Sequence, residues 1–299
     1  VYHPAVAIDK IVPLRDAVQA LVRDGDTIAM EGFTHLIPNA AGHEIIRQRK
    51  QDLALVRMTP DLVYDMIIGM GGASRLVFSW GGNPGVGSLH RFREAIEKSW
   101  PRPLAIEEHS HADMAARYQA GASGLPFAVM RGYVGSDLPK YNSAIRFISC
   151  PFTGERLACT PALNPDVAVI HAQKADRKGN VLIDGIVGVQ KEAVLAARRS
   201  IVTVEEIVDD IRDHRHMSSV VLPGWVVNAV CVEPGGAHPS YAHGYYKRDN
   251  FFCKAWDAIA RDRDTFLAWM NRHVLGTPDF TEFRRSLAAD GLIKALPAL

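Results

Sequence analysis

The sequence predicts an α/β fold, an open, mostly parallel sheet with helices on both faces. Short apolar runs of strand length alternate with stretches of helical periodicity. Those runs are continuous rather than alternately polar, as in strands covered on both sides. At 299 residues, 47% hydrophobic and 22% charged, the chain has the composition to bury a large core.

Leu14, Ala17, Val18, Leu21 and Val22 recur at helical spacing, so a first helix leads into an Asp24-Gly25 turn. A short buried strand is expected at 27–30, a helix at 40–49 and a strand at 53–56. A strand at 76–80 precedes a helix at 89–98, with Leu89, Phe92 and Ile96 on one face. The pattern predicts a helix at 113–122 and an apolar stretch at 127–130. Residues 139–160 are the least regular, a crossover or an extra hairpin. Strands at 167–170, 201–204 and 226–232 follow, with a helix at 190–199 between the first two. No repeat, low-complexity tract or linker interrupts the chain. Residues 1–299 are therefore expected to form a single domain, with a C-terminal helical region from about 254 to 299. Ligands of such sheets sit beyond the carboxyl ends of the strands, which directs attention to the loops after Met30, Trp80 and Ile170.

The formal net charge of +1 gives no global field for nucleic acid or an anionic membrane, and neither is expected as a partner. Four cysteines, Cys150, Cys159, Cys231 and Cys253, show no Cys-x-x-Cys spacing and read as reduced, buried thiols. The most apolar run, 220–232, is broken by Pro223, Gly224 and Asn228 and is too short to span a bilayer. With no basic-then-apolar leader, a cytoplasmic location is expected.

Four polar or glycine-rich stretches could carry chemistry. Glu31-Gly32-Phe33-Thr34 follows the first strand, where glycine permits close approach of a ligand or serves a plain turn. Residues 81–88, rich in glycine, precede a helix and Arg91-Phe92-Arg93. They lack the Gly-Lys-Ser/Thr of a P-loop, but a glycine-rich helix start followed by arginines can hold an anion. Glu107-Glu108-His109-Ser110-His111 is the densest polar cluster. Strand alternation would put Glu107, His109 and His111 on one face. His109 and His111 could ligate a metal, but nothing nearby completes a set, and no metal is expected. Gly132-Tyr133-Val134-Gly135-Ser136 offers backbone and hydroxyl donors, or an ordinary turn.

In this order, over roughly residues 12–275, these motifs resemble the alpha (A) subunits of class I coenzyme A transferases, the glutaconate CoA-transferase type most of all. Two further stretches carry the resemblance: the run from Pro165 to Gln173, and Gly236-Ala237-His238-Pro239-Ser240 with Gly244-Tyr245-Tyr246. Glu31 stands where the family turn usually has its first glycine. The resemblance implies the open sheet of the coenzyme A transferase superfamily and an active site divided between two subunits. The expected assembly is a heterotetramer with beta subunits. The substrates would be an acyl-CoA, the coenzyme A thioester, and a carboxylic acid, with no tightly bound cofactor. It also implies a ping-pong reaction whose nucleophilic glutamate lies on the beta subunit, since no matching glutamate turn occurs here.

Carried onto this chain, the resemblance aligns His111 with an active-site glutamine, with Ser110 and Glu108 beside it as catalytic candidates. Gly32, Phe33, Ser79, Arg91, Gly135, Ser136 and His238 become candidate substrate contacts, with Arg91 suited to a distal carboxylate and His238 suited to bracing an interface loop. A histidine at position 111 can donate or accept a hydrogen bond and act as general acid or base. Two other readings remain: a subunit that hydrolyses a carbon–carbon bond or decarboxylates an acyl-CoA on the same fold, and a non-catalytic assembly subunit.

Overall fold

A computed structural model describes residues 10–83 and 87–293. The helices are α1 (Leu14–Leu21), α2 (Asn39–Arg47), α3 (Leu62–Gly69), α4 (His90–Lys98), α5 (His111–Ala122), α6 (Leu138–Tyr141), α7 (Gln190–Ala196), α8 (Asn250–Arg261), α9 (Arg263–Trp269) and α10 (Phe280–Ala289). The strands are β1 (Thr27–Glu31), β2 (Leu53–Val56), β3 (Ala73–Phe78), β4 (Ala105–Glu108), β5 (Phe127–Met130), β6 (Arg146–Ser149), β7 (Arg156–Pro161), β8 (Val167–Asp176), β9 (Val181–Ile183), β10 (Arg199–Val208), β11 (Val220–Leu222) and β12 (Ala229–Val232).

Among the described residues, nine strands form the main sheet. Strands β12, β10, β8, β1, β2, β3 and β4 lie side by side and parallel. β8 is twice as long as β1: its first half pairs with β1, and its second half pairs antiparallel with β9, which pairs with β11. The β9–β11 pair therefore continues past the carboxyl end of β1. Alternation along the strands divides the core. Ile28, Met30, Leu53, Leu55, Leu76 and Phe78 face α1 to α4 and the C-terminal helices. Ala29, Val56, Val77, Ala168 and Ile170 face α5 and α7. The expected doubly covered parallel sheet is present.

The differences from expectation have local causes. Every residue of α3 is buried, so it lacks the one-sided periodicity that marks a surface helix. The edge strand β4, Ala-Ile-Glu-Glu, is mostly exposed and reads as polar sequence. The irregular 139–160 stretch holds α6 and the β6–β7 hairpin, which joins β5 in a separate three-stranded sheet beside β4. The 226–232 strand shortens to β12, and the C-terminal helices begin at Asn250 rather than 254. Helix α5 begins two residues early, at His111, because Ser110 caps it: its Oγ accepts the Asp113 N–H at 3.1 Å. Among the described residues no helix is long and apolar enough to cross a membrane.

Candidate active site

The loops beyond β1 to β4 are bound into one surface at the carboxyl ends of the strands. Arg57, just past β2, donates from Nη2 to the Gly32 carbonyl at 2.9 Å and forms a buried ion pair with Asp61 at 3.0 Å. The Met58 N–H donates to Glu31 Oε1 at 3.1 Å, while its carbonyl accepts the Ser79 hydroxyl at 2.7 Å. The His109 N–H donates to Phe78 O at 2.8 Å. Gly32, Ser79 and Ser110 thus stand in adjacent loops, each fixed by its neighbour, with Phe33 and His111 exposed beside them.

Gly32 is demanded by its own turn. A Cβ there would fall 2.7 Å from the carbonyl oxygens of both His35 and Leu36. Thr34 (φ 56°) and Leu36 (φ 52°) both occupy the left-handed region, so the turn is tightly wound and strained. Loops from elsewhere brace it. His35 bonds through Nδ1 to Ile186 O at 3.0 Å, and its Nε2 accepts the His243 N–H at 2.9 Å.

Glu31 is buried behind this turn. Its carboxylate accepts from Tyr118 Oη at 2.8 Å, tying β1 to α5. Burial, only partly offset by the Arg57 charge and these hydrogen bonds, raises its pKa to about 7.

The polar cluster splits in two. Glu107 and His109 alternate into the interior as expected, but His111 leaves that face because the helix has begun. His109 bonds Asp113 through Nδ1 at 2.6 Å, while Glu107 Oε1, Arg117 Nη1 and Asn142 Nδ2 lie 2.8, 2.6 and 3.1 Å from its Nε2. Burial holds the imidazole pKa below its ordinary value. Burial alone would raise the Asp113 pKa; hydrogen bonds from His109, Thr160 and Tyr133 together hold it below the usual range. Tyr133, absent from the sequence-derived candidates, accepts the Ser110 N–H at 2.7 Å and donates to Asp113 at 2.8 Å. Its φ of 69° and that of Gly135, 85°, wind the turn that carries Gly135 and Ser136, both exposed. A tyrosine in a Gly-rich turn was the available signal. The exposed Glu108 stands one residue before this network.

Two candidates lie elsewhere. Arg91 is 2% exposed beneath the C-terminal helices, 2.7 Å from Glu94, donating to Arg261 O at 3.0 Å and lying over the Trp100 and Phe266 rings. Its guanidinium is enclosed by its own chain, which corrects the expectation that it meets a substrate carboxylate. His238 is likewise buried; its Nε2 is 2.9 Å from Asp249, the residue that caps α8. Its loop supports the segment after the β1 turn through Ala237 O and Ser240 Oγ, which bond Asn39 and Ile37. His238 therefore braces a loop and does not face the strand-end surface. Of the glycine-rich stretch 81–88, residues 84–86 lie outside the described residues.

A family model for coenzyme A transferase matches residues 11–233. The chain is 68% identical over 279 residues to the A chain of the 3-oxoadipate CoA-transferase of Pseudomonas knackmussii, covering 93% of this chain and 98% of that one. It is 33% identical to the A chain of the glutaconate CoA-transferase of Acidaminococcus fermentans, across 98% of this chain and 97% of the relative. The solved glutaconate coenzyme A-transferase superposes with a TM-score of 0.88, covering 97% of each chain. The structure of a decarboxylase, AibA/AibB, matches with a TM-score of 0.75 at 28% identity, over 88% of this chain and 100% of that one. With its doubly covered sheet, its strand-end loops and these matches along nearly its full length, the chain belongs to the coenzyme A transferase family, as a subunit of the A type.

Proposed function

We propose that this chain is one half of a transferase that moves coenzyme A between an acyl-CoA and 3-oxoadipate or a closely similar oxo-dicarboxylic acid, working with a B-type partner in a heterotetramer. The observation that carries the reading is the shared surface of Gly32, Ser79 and Ser110, locked together at the strand ends beside exposed Phe33 and His111. The name of the relative at 68% identity supports the substrate class.

This surface suits a supporting wall better than a nucleophile. Glu31 is enclosed by Tyr118 and Met58, and Glu107 is held by Arg75 and Arg117, so neither carboxylate is free to attack a thioester. The nucleophilic glutamate is assigned to the partner, as the resemblance to class I transferases implies. Its carboxylate attacks the thioester carbonyl, the CoA thiolate leaves, and an acyl–glutamyl anhydride forms. The thiolate then attacks the glutamyl carbonyl, releasing the donor acid and leaving a glutamyl–CoA thioester. The acceptor carboxylate reverses these steps. Ser110 Oγ accepts from Asp113 N–H, so its own proton is available to an acyl oxygen as negative charge develops there. His111, on the same helix start, is positioned to donate beside it.

Mass spectrometry of the co-expressed subunits treated with an acyl-CoA tests the reading. A CoA adduct on a partner glutamate, discharged by 3-oxoadipate, is expected. Product formed with neither adduct nor acceptor would replace this reading with the hydrolase or decarboxylase chemistry suggested by the fold's other members.

A further inference from the structure

The free edge of the main sheet at β4 has the features of a second recognition site. Among the described residues, β4 pairs with β3 alone in the main sheet. Because the His109 N–H points to Phe78, alternation turns the backbones of Ala105 and Glu107 toward β3 and those of Ile106 and Glu108 away from it. Asn142 Nδ2 takes the Glu108 carbonyl at 2.7 Å. The Ile106 N–H and carbonyl and the Glu108 N–H have no backbone partner among the described residues. They border a cleft of about 690 Å³ between β4 and the three-stranded sheet.

The walls of that cleft are apolar and its rim is basic. Ile106, Phe127 and Tyr141 line it and are exposed. Arg75 and Arg117 share the single Glu107 carboxylate, and Arg146, on the rim, has no carboxylate partner among the described residues. Arg146 is thus a guanidinium without an ion pair on this rim.

We propose that the β4 edge receives an extended segment of the partner subunit, with an acidic residue for Arg146, laid beside β4 as an added strand; this rests on the two-subunit reading. An unpaired strand edge is a template for main-chain pairing, and flanking pockets select alternate side chains. Arg146, without a carboxylate partner, calls for an acidic residue opposite it in the incoming strand. A second copy of this chain would oppose Arg146 with the same basic rim across a two-fold axis. A small free anion would leave the Ile106 backbone groups unpaired.

Hydrogen exchange on the isolated chain and on the purified two-subunit complex, together with the Arg146→Glu variant, tests this. Exchange at Ile106 and Glu108 is expected to slow by about tenfold or more in the complex. Arg146→Glu should weaken association of the two subunits about tenfold, lessen its salt dependence and leave the melting temperature of the isolated chain unchanged. Unprotected amides in a complex that assembles with wild-type affinity in Arg146→Glu would overturn the docking while leaving the two-subunit reading intact. Protection that grows with concentration in the isolated chain would assign the edge to self-association and overturn it too. Failure of the subunits to associate at all would overturn both.

Discussion

Tyr133 holds Ser110 in place: its hydroxyl accepts the Ser110 N–H at 2.7 Å and donates to Asp113, whose own N–H is capped by Ser110 Oγ. The start of α5 is thereby closed into a ring of hydrogen bonds independent of any substrate. Tyr133→Phe keeps the buried ring but leaves a backbone donor and a carboxylate oxygen short of a partner. It should cost about 1–3 kcal/mol in urea unfolding. Turnover in the assembled enzyme should fall with it. Wild-type kcat in a destabilised Tyr133→Phe would separate the ring of hydrogen bonds from catalysis.

His111 and Ser110 should respond differently to truncation. His111 is exposed, so His111→Ala should change stability by less than about 0.5 kcal/mol. Ser110→Ala removes a helix cap and should cost about 1 kcal/mol. Both should lower kcat by about tenfold or more if they meet the reacting acyl group. A purely structural subunit would show full turnover in His111→Ala, measured as acyl-CoA exchange by the complex.

Glu31 ties stability to pH. Its folded pKa of about 7 lies above the ordinary carboxylate value of 4.5, so the folded chain holds this proton more tightly than the unfolded chain. The resulting stabilisation is full below about pH 4.5 and is lost as pH rises through about 7. Glu31→Gln cannot ionise. Relative to it, the wild type should lose on the order of 3 kcal/mol between pH 4.5 and 8, read from urea midpoints across that range. Parallel pH profiles for the two proteins would show that Glu31 titrates in the fold near its ordinary value and does not tie stability to pH.

The sheet was legible because its strands announce themselves: the β1, β2, β8 and β10 runs are apolar and of strand length, and the fold buries them on both sides. β4 and α3 escaped for opposite reasons, one being an exposed polar edge and the other apolar on every face. The strand-end loops placed Gly32, Ser79, Ser110 and His111 on one surface, since topology alone puts them there. Side-chain environment was not legible. Arg91 follows a glycine-rich helix start, as an anion-binding residue would, yet helical phase turns it inward under α8 and α9, whose approach no local pattern encodes. Tyr133 and His109 act through partners 20 and 4 residues away, which only folding brings together.

Arg91 should behave as a core residue. Arg91→Met retains much of the packing against Trp100 and Phe266 but loses the ion pair with Glu94 and the bond to Arg261 O. Glu94 keeps Arg263, which limits the loss to about 2–4 kcal/mol in denaturant unfolding. KM for the acceptor acid should stay within about twofold of wild type, because the side chain is enclosed. A KM raised about a hundredfold with stability intact would restore Arg91 to the substrate site.

Gly121 sets how closely α5 lies against the chain that crosses it. A Cβ there would stand 1.9 Å from the Leu163 carbonyl oxygen and 3.0 Å from Ala196 Cβ on α7. Gly121→Ala would favour an isolated helix by about 1 kcal/mol, but here it collides with backbone that cannot rotate away. Helix α5 must shift outward, carrying Ser110 and His111 at its start and pulling Tyr118 from Glu31. The expected result is a net loss of about 1–3 kcal/mol together with a lower kcat. Gly124→Ala serves as the control, because its added Cβ meets nothing within 4 Å although its φ of 68° strains the backbone. It should lose stability through that strain while keeping wild-type turnover at temperatures where both proteins are folded. Equal turnover in the two variants would mean that the seating of α5 does not govern the chemistry at its N-terminus.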